Sequence, residues 1–327
     1  MQHVKTKSVG VYHPDNQPSN DFYIEHFKRK GRDITSFLKV MGRDKRYIID
    51  NEHETSITMA IEASKRALET AGLTGEDIDL IIFTTQVPEV TLPTCAVELH
   101  YGIQGKKSCI TYDMNANCAG MTIAVEQASR VMTANPRIKY ALVVGSERLS
   151  AISNPNEEIT YASFSDSAGA VILEQSEEQG FIDAMYETDS SFKDNIRYPK
   201  EGLTHVQLNN VPNGRISWKP FDGAVSIPFA CAKIEELLQA NNVSIDDVKA
   251  CCFSQFALSN ILRIQNHFNL PDEKMVVVGD RYGYTGTSSP FIALYEGIQD
   301  GRIKRGDLVL FWTIGTGHEF IAMLYRY

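Results

Sequence analysis

The chain carries one plan twice, and this constrains its fold more than any other feature. Shifted by 170 positions, LETAGLTGEDIDLIIFTT (68–85) falls on LQANNVSIDDVKACCFSQ (238–255) without a gap. Leu68 then meets Leu238, Asp77 meets Asp247 and Phe83 meets Phe253. A shift of 167 superposes the following strand, turn, helix and strand, so that Asp113 meets Asp280 and ALVVG (141–145) meets LVLFW (308–312). A nearly constant offset over both blocks sets the architecture as two similar halves, which we draw at 1–175 and 176–327. Within each half strands and helices alternate. Residues 56–71 read as a helix, with Ser56 as N-cap and Gly72 just past its end. Residues 79–85, 139–145, 275–279 and 307–314 read as buried strands. The expectation is an α/β protein with mostly buried sheets. Packing about a pseudo-two-fold would make the turns around Cys118 and Tyr284 neighbours, along with the strand ends near Thr84 and Ser254. The junction of two similar halves is a common place for a ligand cleft.

Composition narrows the function classes. The net charge of −9 argues against nucleic acid as a partner, because phosphate binding needs a dominant basic face. Two local basic clusters, Arg43/Lys45/Arg46 and Arg302/Lys304/Arg305, read as solvated charged faces. The longest apolar run, Leu308 to Ile314, is strand-sized and too short to span a membrane, and the N-terminus has no secretory apolar segment. Six cysteines (Cys95, Cys109, Cys118, Cys231, Cys251 and Cys252) lack framework spacing and contain no CxxC pair. They read as reduced thiols of a cytoplasmic protein, with no metal site. His53, His100 and His267 have no metal-ligand spacing, and no Gly-rich phosphate loop follows a strand.

One cysteine stands apart. The segment SCITYDMNANCAGMTIAVEQASRVM (108–132) runs strand, tight small-residue turn, then helix, with Cys118 at the start of that helix. Helix N-terminal N–H groups stabilise negative charge there, which predicts a lowered thiol pKa. A thiolate on such an elbow is presented to a cleft as a nucleophile, and its own N–H can help hold an oxyanion. The other five cysteines read as small packing residues.

At these residues the chain resembles the type III ketoacyl synthases of the thiolase superfamily, over essentially its full length. The resemblance rests on DMNANCAGM around Cys118, FSDSAGAVIL (164–173), DRYGYTGTSSP (280–290) and DGRIKRGDLVLFWTIGTG (300–317). It implies a thiolase-like duplicated, five-layered αβαβα fold with two mixed sheets. It further implies an acyl group taken by Cys118 from coenzyme A or an acyl carrier protein, no permanently bound cofactor, coenzyme A or phosphopantetheine thioesters as substrates, and a homodimer, with a heterodimer as an alternative. A fatty-acid-like or specialised-metabolite pathway follows from the same likeness.

The sequence departs from the family at two positions. A histidine that holds the extender's thioester carbonyl is replaced in Phe253-Ser254-Gln255-Phe256-Ala257 by Ser254. The companion asparagine is replaced in Gly283-Tyr284-Thr285 by Tyr284. Losing one donor to a developing oxyanion costs on the order of a hundredfold, and neither replacement shuttles protons near neutral pH as an imidazole does. In the glycine-rich loop Gly315-Thr316-Gly317-His318-Glu319, His318 is the candidate replacement base. Glu89, in TTQVPEVTLPT (84–94), matches a region that supplies a general base in some branches, but reads as a solvated loop carboxylate. Residues 187–220 read as a long functional loop, which in relatives shapes the acyl pocket.

Three readings follow. The chain is an acyltransferase that loads Cys118 and passes the acyl group on without the standard decarboxylation pair; or a standard decarboxylative 3-oxoacyl synthase working with Ser254 and Tyr284; or a non-catalytic partner of a heteromeric synthase. An intact Cys118 elbow counts against the third and the two replacements against the second, which favours the first.

Overall fold

The structure, a computed structural model, describes residues 2–212 and 214–327. Its strands are β1 (His3–Tyr12), β2 (Leu80–Thr84), β3 (Ile110–Met114), β4 (Tyr140–Arg148), β5 (Asp166–Ser176), β6 (Phe181–Thr188), β7 (Ile196–Arg197), β8 (Ser217–Trp218), β9 (Ala250–Phe253), β10 (Leu308–Gly315) and β11 (Glu319–Arg326). They form a five-stranded sheet of order β1-β5-β4-β2-β3, a four-stranded sheet of order β6-β11-β10-β9, and the small β7-β8 pair. In the first sheet β2 runs parallel to β3 and β4, while β5 is antiparallel to β4 and β1. The second repeats this, with β10 parallel to β9 and antiparallel to β11. Both sheets are mixed, as expected.

Strand residues alternate between two interiors, which is why these runs are apolar throughout rather than at every second position. Leu80, Ile82, Ala141 and Val143 of the first sheet and Cys252, Val309 and Phe311 of the second face a shared central core. That core also takes Met121, Ala124 and Ala128 of helix Gly120–Ala134 and Phe291 and Leu294 of helix Ser289–Gln299. Ile81, Phe83, Leu142 and Val144 face an outer core with helix Ser56–Ala71. Cys251, Phe253, Leu310 and Trp312 face the opposite one with helix Ser226–Ala240. Three cores between five layers make the αβαβα sandwich; each large side chain among them contributes roughly 1.5–3 kcal/mol through burial.

The repeat extends to single hydrogen bonds. Thr74 N–H donates to Asp77 Oδ2 at 2.8 Å, and Ser244 N–H donates to Asp247 Oδ2 at 2.9 Å, each closing the turn that leads into β2 or β9. Left-handed residues end the preceding helices, Gly72 at φ 66° and Asn242 at φ 53°.

Three local expectations are corrected. Helix Ser56–Ala71 is capped by Thr55, whose hydroxyl accepts the Thr58 N–H while its own N–H donates to the Thr58 hydroxyl, so Ser56 is already the first helical residue. Residues 275–279 do not form a strand: only Met275 bridges Cys251, and the N–H groups of Val278 and Gly279 donate instead to Gln255 Oε1 at 2.9 and 3.0 Å. The first basic cluster is not a solvated face, although its Lys45 is exposed. Arg43 and Arg46 are 2% and 0% exposed and act as clamps. Arg43 donates to the carbonyls of Met41, Gln255, Phe256 and Gly279, while Arg46 reaches Ala162 O and Asn20 Oδ1. The second cluster is the solvated face expected of it: Lys304 and Arg305 are exposed, Arg302 pairs with Asp300, and Arg305 donates to the carbonyls of Thr6 and Lys7.

Residues 187–220 are more structured than a loop. They hold the end of β6, a turn at Ser190–Phe192, helix Leu203–Asn209, and the β7-β8 ladder that registers Ile196 against Trp218. No helix among the described residues is long and apolar enough to cross a membrane.

Candidate active site

The elbow after β3 is built by asparagines. Asn117 adopts φ 50°, a left-handed conformation that asparagine tolerates better than most residues. Its N–H is held by Asn115 Oδ1 at 3.0 Å, and its own Nδ2 donates to Thr316 O at 3.3 Å, tying the elbow to the glycine-rich loop of the other half. The helix proper begins at Gly120. The N–H of Met121, in its first turn, is satisfied by Thr287 Oγ1 at 2.6 Å, again from the other half. Cys118 thus lies just outside the helix rather than at its start as expected, because the left-handed Asn117 and the turn through Ala119 precede the first helical residue, and it is 7% exposed.

Around the thiol stand Gln86, Glu147 and Tyr284. Gln86 Nε2 lies 3.6 Å from Sγ and 3.1 Å from Glu147 Oε2. Glu147, fully buried, also accepts the N–H of Gln86 at 2.9 Å and of Thr287 at 3.2 Å. Burial pushes its carboxyl up to about 7, against the pull of these donors. Burial first and the Glu147 carboxylate second push the Cys118 thiol up to about 12, while its contacts with Tyr284 and Gln86 pull the other way. The expected lowering of the thiol pKa is therefore not what the resting site has. Sequence shows the coming helix but neither the depth of the sulfur nor the carboxylate beside it. Glu147 fits because residue 286 is glycine: Gly286 has φ +62° and a Cβ there would meet Glu147 Oε2 at 1.6 Å.

The structure brings Tyr284 to the thiol, with Ser254 beside it. Tyr284 is pinned on both sides of its peptide, its N–H donating to Ser163 O at 2.8 Å and its carbonyl accepting from Ser165 N at 2.9 Å. Burial, then the neighbouring Cys118 and Glu147, raise its hydroxyl well above the ordinary tyrosine range, while Ser254 pulls weakly downward. Ser254 is 4% exposed, and its Oγ completes no hydrogen bond among the described residues. His318 sits at φ 52° with its ring stacked on Phe192, centroids 3.6 Å apart and planes 7° apart. Its Nδ1 has no hydrogen-bond partner among the described residues, and burial lowers its pKa. Glu89 is exposed on its loop. His100 bonds Lys106 O and His267 bonds Glu235, both away from the thiol.

These groups share a narrow cavity of about 80 Å³ that holds Cys118, Gln86, Tyr284 and His318. Its walls are Leu149, Ile152, Phe164 and Phe256, closed over by Phe192, Ile196, Ile216 and Trp218 from 187–220. Trp218 and Phe256 stack at 5.4 Å and 13°, and Phe256 stands edge-on to Tyr284 at 5.1 Å. A cavity of roughly 150 Å³ holds a benzene ring, so this one, as shaped, admits a short apolar group. At Gln86, Ile196 and Thr316 it adjoins a polar vestibule lined by Asn115, Asn117 and Arg197. Such a site can hold an apolar chain beside a sulfur nucleophile with the rest of a thioester lying outward. Gln86, Glu147 and the aromatic wall escaped sequence reasoning. The available signal was Glu147 itself, an acid ending the apolar run ALVVGSE.

Comparison with known proteins agrees with this geometry. Residues 112–190 match the family described as 3-oxoacyl-[acyl-carrier-protein (ACP)] synthase III, and residues 238–327 match its C-terminal family. A beta-ketoacyl-[acyl-carrier-protein] synthase III from Neisseria meningitidis serogroup A is 30% identical, over 100% of both chains. One from an Enterobacter species is 34% identical, over 84% of this chain and 85% of its own. The crystal structure of the 3-oxoacyl-[acyl-carrier-protein] synthase III of Aquifex aeolicus superposes with a TM-score of 0.86 at 28% identity, covering 99% of this chain and 100% of that one. The duplicated sandwich, the cysteine elbow at its junction and these full-length matches show that the chain belongs to the 3-oxoacyl-[acyl-carrier-protein] synthase III family, with the thiolase-like fold.

Proposed function

We propose that this protein is an acyltransferase that takes an acyl group from an acyl-coenzyme A or acyl-carrier-protein thioester onto Cys118 and passes it to an acceptor. The observation that carries this reading is the Cys118 thiol standing in an apolar cavity beside hydrogen-bonding groups of both halves. In the first half-reaction Sγ attacks the donor's carbonyl carbon. The new C–S bond forms, the donor's C–S bond breaks, and the thiol proton leaves with the departing thiolate. The acceptor then attacks the Cys118 thioester and the sulfur regains a proton. Tyr284, held neutral by burial, is suited to donate a hydrogen bond at the thiol. His318, in the wall without a bond to Cys118, is suited to act as base toward the acceptor rather than toward the nucleophile.

The test is intact-mass measurement after incubation with a panel of acyl-CoA and acyl-carrier thioesters. An acyl adduct on wild type that is absent from Cys118→Ala supports the reading; no adduct with any donor overturns it and favours a non-catalytic partner subunit. The relatives' names favour a second reading, decarboxylative condensation with a malonyl carrier. Carbon dioxide release that depends on Ser254 or Tyr284 would establish it in place of the first. Use of an acyl carrier protein, and dimer formation, belong to the same proposal and are read by mass and by sedimentation.

A further inference from the structure

We propose that Gln86 is a catalytic residue that donates a hydrogen bond to the Cys118 sulfur as it becomes anionic, and that Glu147 is the positioning residue that fixes the Gln86 amide for this task. The proposal rests on Cys118 being the nucleophile and adds how its charge is managed.

The geometry is that of a bridge. Gln86 Nε2 carries two N–H groups and faces two acceptors, Glu147 Oε2 at 3.1 Å and Cys118 Sγ at 3.6 Å. Gln86 Oε1 lies farther from the sulfur, at 4.0 Å. An ionised carboxylate can only accept, so turning the amide over would set oxygen against oxygen. Glu147 thereby selects the orientation that presents N–H to the sulfur. Its other oxygen grips the Gln86 backbone N–H at 2.9 Å, fixing the residue at both ends. A carboxylate is a costly way to orient an amide next to a nucleophile, because it opposes the thiolate. The groups facing the sulfur are Gln86, Glu147 and Tyr284, with His318 in the shared cavity wall. Tyr284 stays neutral up to high pH, and burial moves His318 below its ordinary range. Glu147 is thus the group near the sulfur that changes charge near pH 7.

Two coupled acids give a recognisable profile. While Glu147 is neutral the thiolate population rises with pH. As Glu147 ionises the two charges compete and the population levels off, to rise again at higher pH.

The experiment uses no acyl donor. The native protein is alkylated with iodoacetamide between about pH 5.5 and 9.5. Cys118 modification is read by peptide mass, and Cys118→Ala corrects for the other thiols. Wild type is expected to show a shelf beginning near pH 7. Glu147→Gln is expected to lose the shelf and react about tenfold or more faster at the alkaline end. Gln86→Leu is expected to react about tenfold more slowly at every pH while keeping the shelf. Gln86→Met, which keeps the side chain's length without its donor, should behave as Gln86→Leu does. A wild-type profile without a shelf, or Gln86 variants as reactive as wild type, would overturn the proposal. If the profile rises without a shelf while acyl adducts form, the bridge falls and the acyltransferase stands. If the shelf appears while no donor acylates Cys118, the bridge stands and the acyltransferase falls.

Discussion

Glu147 and Gly286 occupy one another's room: the carboxylate Oε2 lies 1.6 Å from where a Cβ on residue 286 would be, and Gly286 has φ +62°. An anionic group from the first half is seated in the backbone of the second. Gly286→Ala must therefore move a buried carboxylate as well as accept a left-handed conformation. A loss of roughly 3 kcal/mol or more is expected, read as the denaturant midpoint, together with reduced acylation of Cys118.

Asn117 offers a cleaner separation of backbone from tether. Asn117→Gly keeps the left-handed elbow but deletes the bond to Thr316 O. Asn117→Ala loses both, and is expected to be less stable than Asn117→Gly by about 1 kcal/mol. Both should slow acyl loading by a similar factor if the tether aligns the thiol. Thermal unfolding and adduct formation measured side by side decide this.

The resemblance implies that Ser254 and Tyr284 stand at the family's histidine and asparagine positions, and that reading predicts a gain of function. Ser254→His with Tyr284→Asn supplies both donor types beside Cys118. Malonyl-carrier decarboxylation should rise on the order of a hundredfold over wild type. Carbon dioxide release is the measurement, and an unchanged rate in a folded double variant would show that the site differs in more than these two side chains.

Glu147 also marks the stability curve. Its native pKa of about 7 lies above its ordinary 4.5, so between these values the native state binds a proton that the unfolded chain has released. Stability therefore falls as pH rises through that window, by an amount on the order of 3 kcal/mol from this group. Glu147→Gln removes the dependence, so its stability should gain on wild type from pH 4.5 to 7 in chemical denaturation.

The duplicated fold was legible because both halves bury strands on two faces, leaving apolar runs such as LIIF and LVLFW at a fixed offset. Cys118, Ser254 and Tyr284 could be placed near one another from that offset, and the structure sets them around one cavity or beside it. What could not be read was depth. The pattern of Arg43 and Arg46 is that of a charged face, yet each donates to a carbonyl more than a hundred residues away. The helix after Cys118 suggested an acidic thiol, but the neighbouring carboxylate comes from β4 and its partner Gln86 from beyond β2. Likewise 275–279 has a strand's composition, and only the Gln255 side chain, taking its N–H groups, explains the missing ladder. Long-range side-chain bonds to backbone leave no periodic trace.

The bond from the Met121 N–H to Thr287 Oγ1, and that from Asn117 Nδ2 to Thr316 O, give the Cys118 sulfur a second use. The second half supplies the partners that the first half's elbow lacks, so the first repeat alone does not contain a finished site. The alkylation rate of Cys118 is therefore a reporter of assembly. It registers whether the two repeats have docked, and during refolding it should acquire its native value with the last-forming half, however early the first has regained its secondary structure.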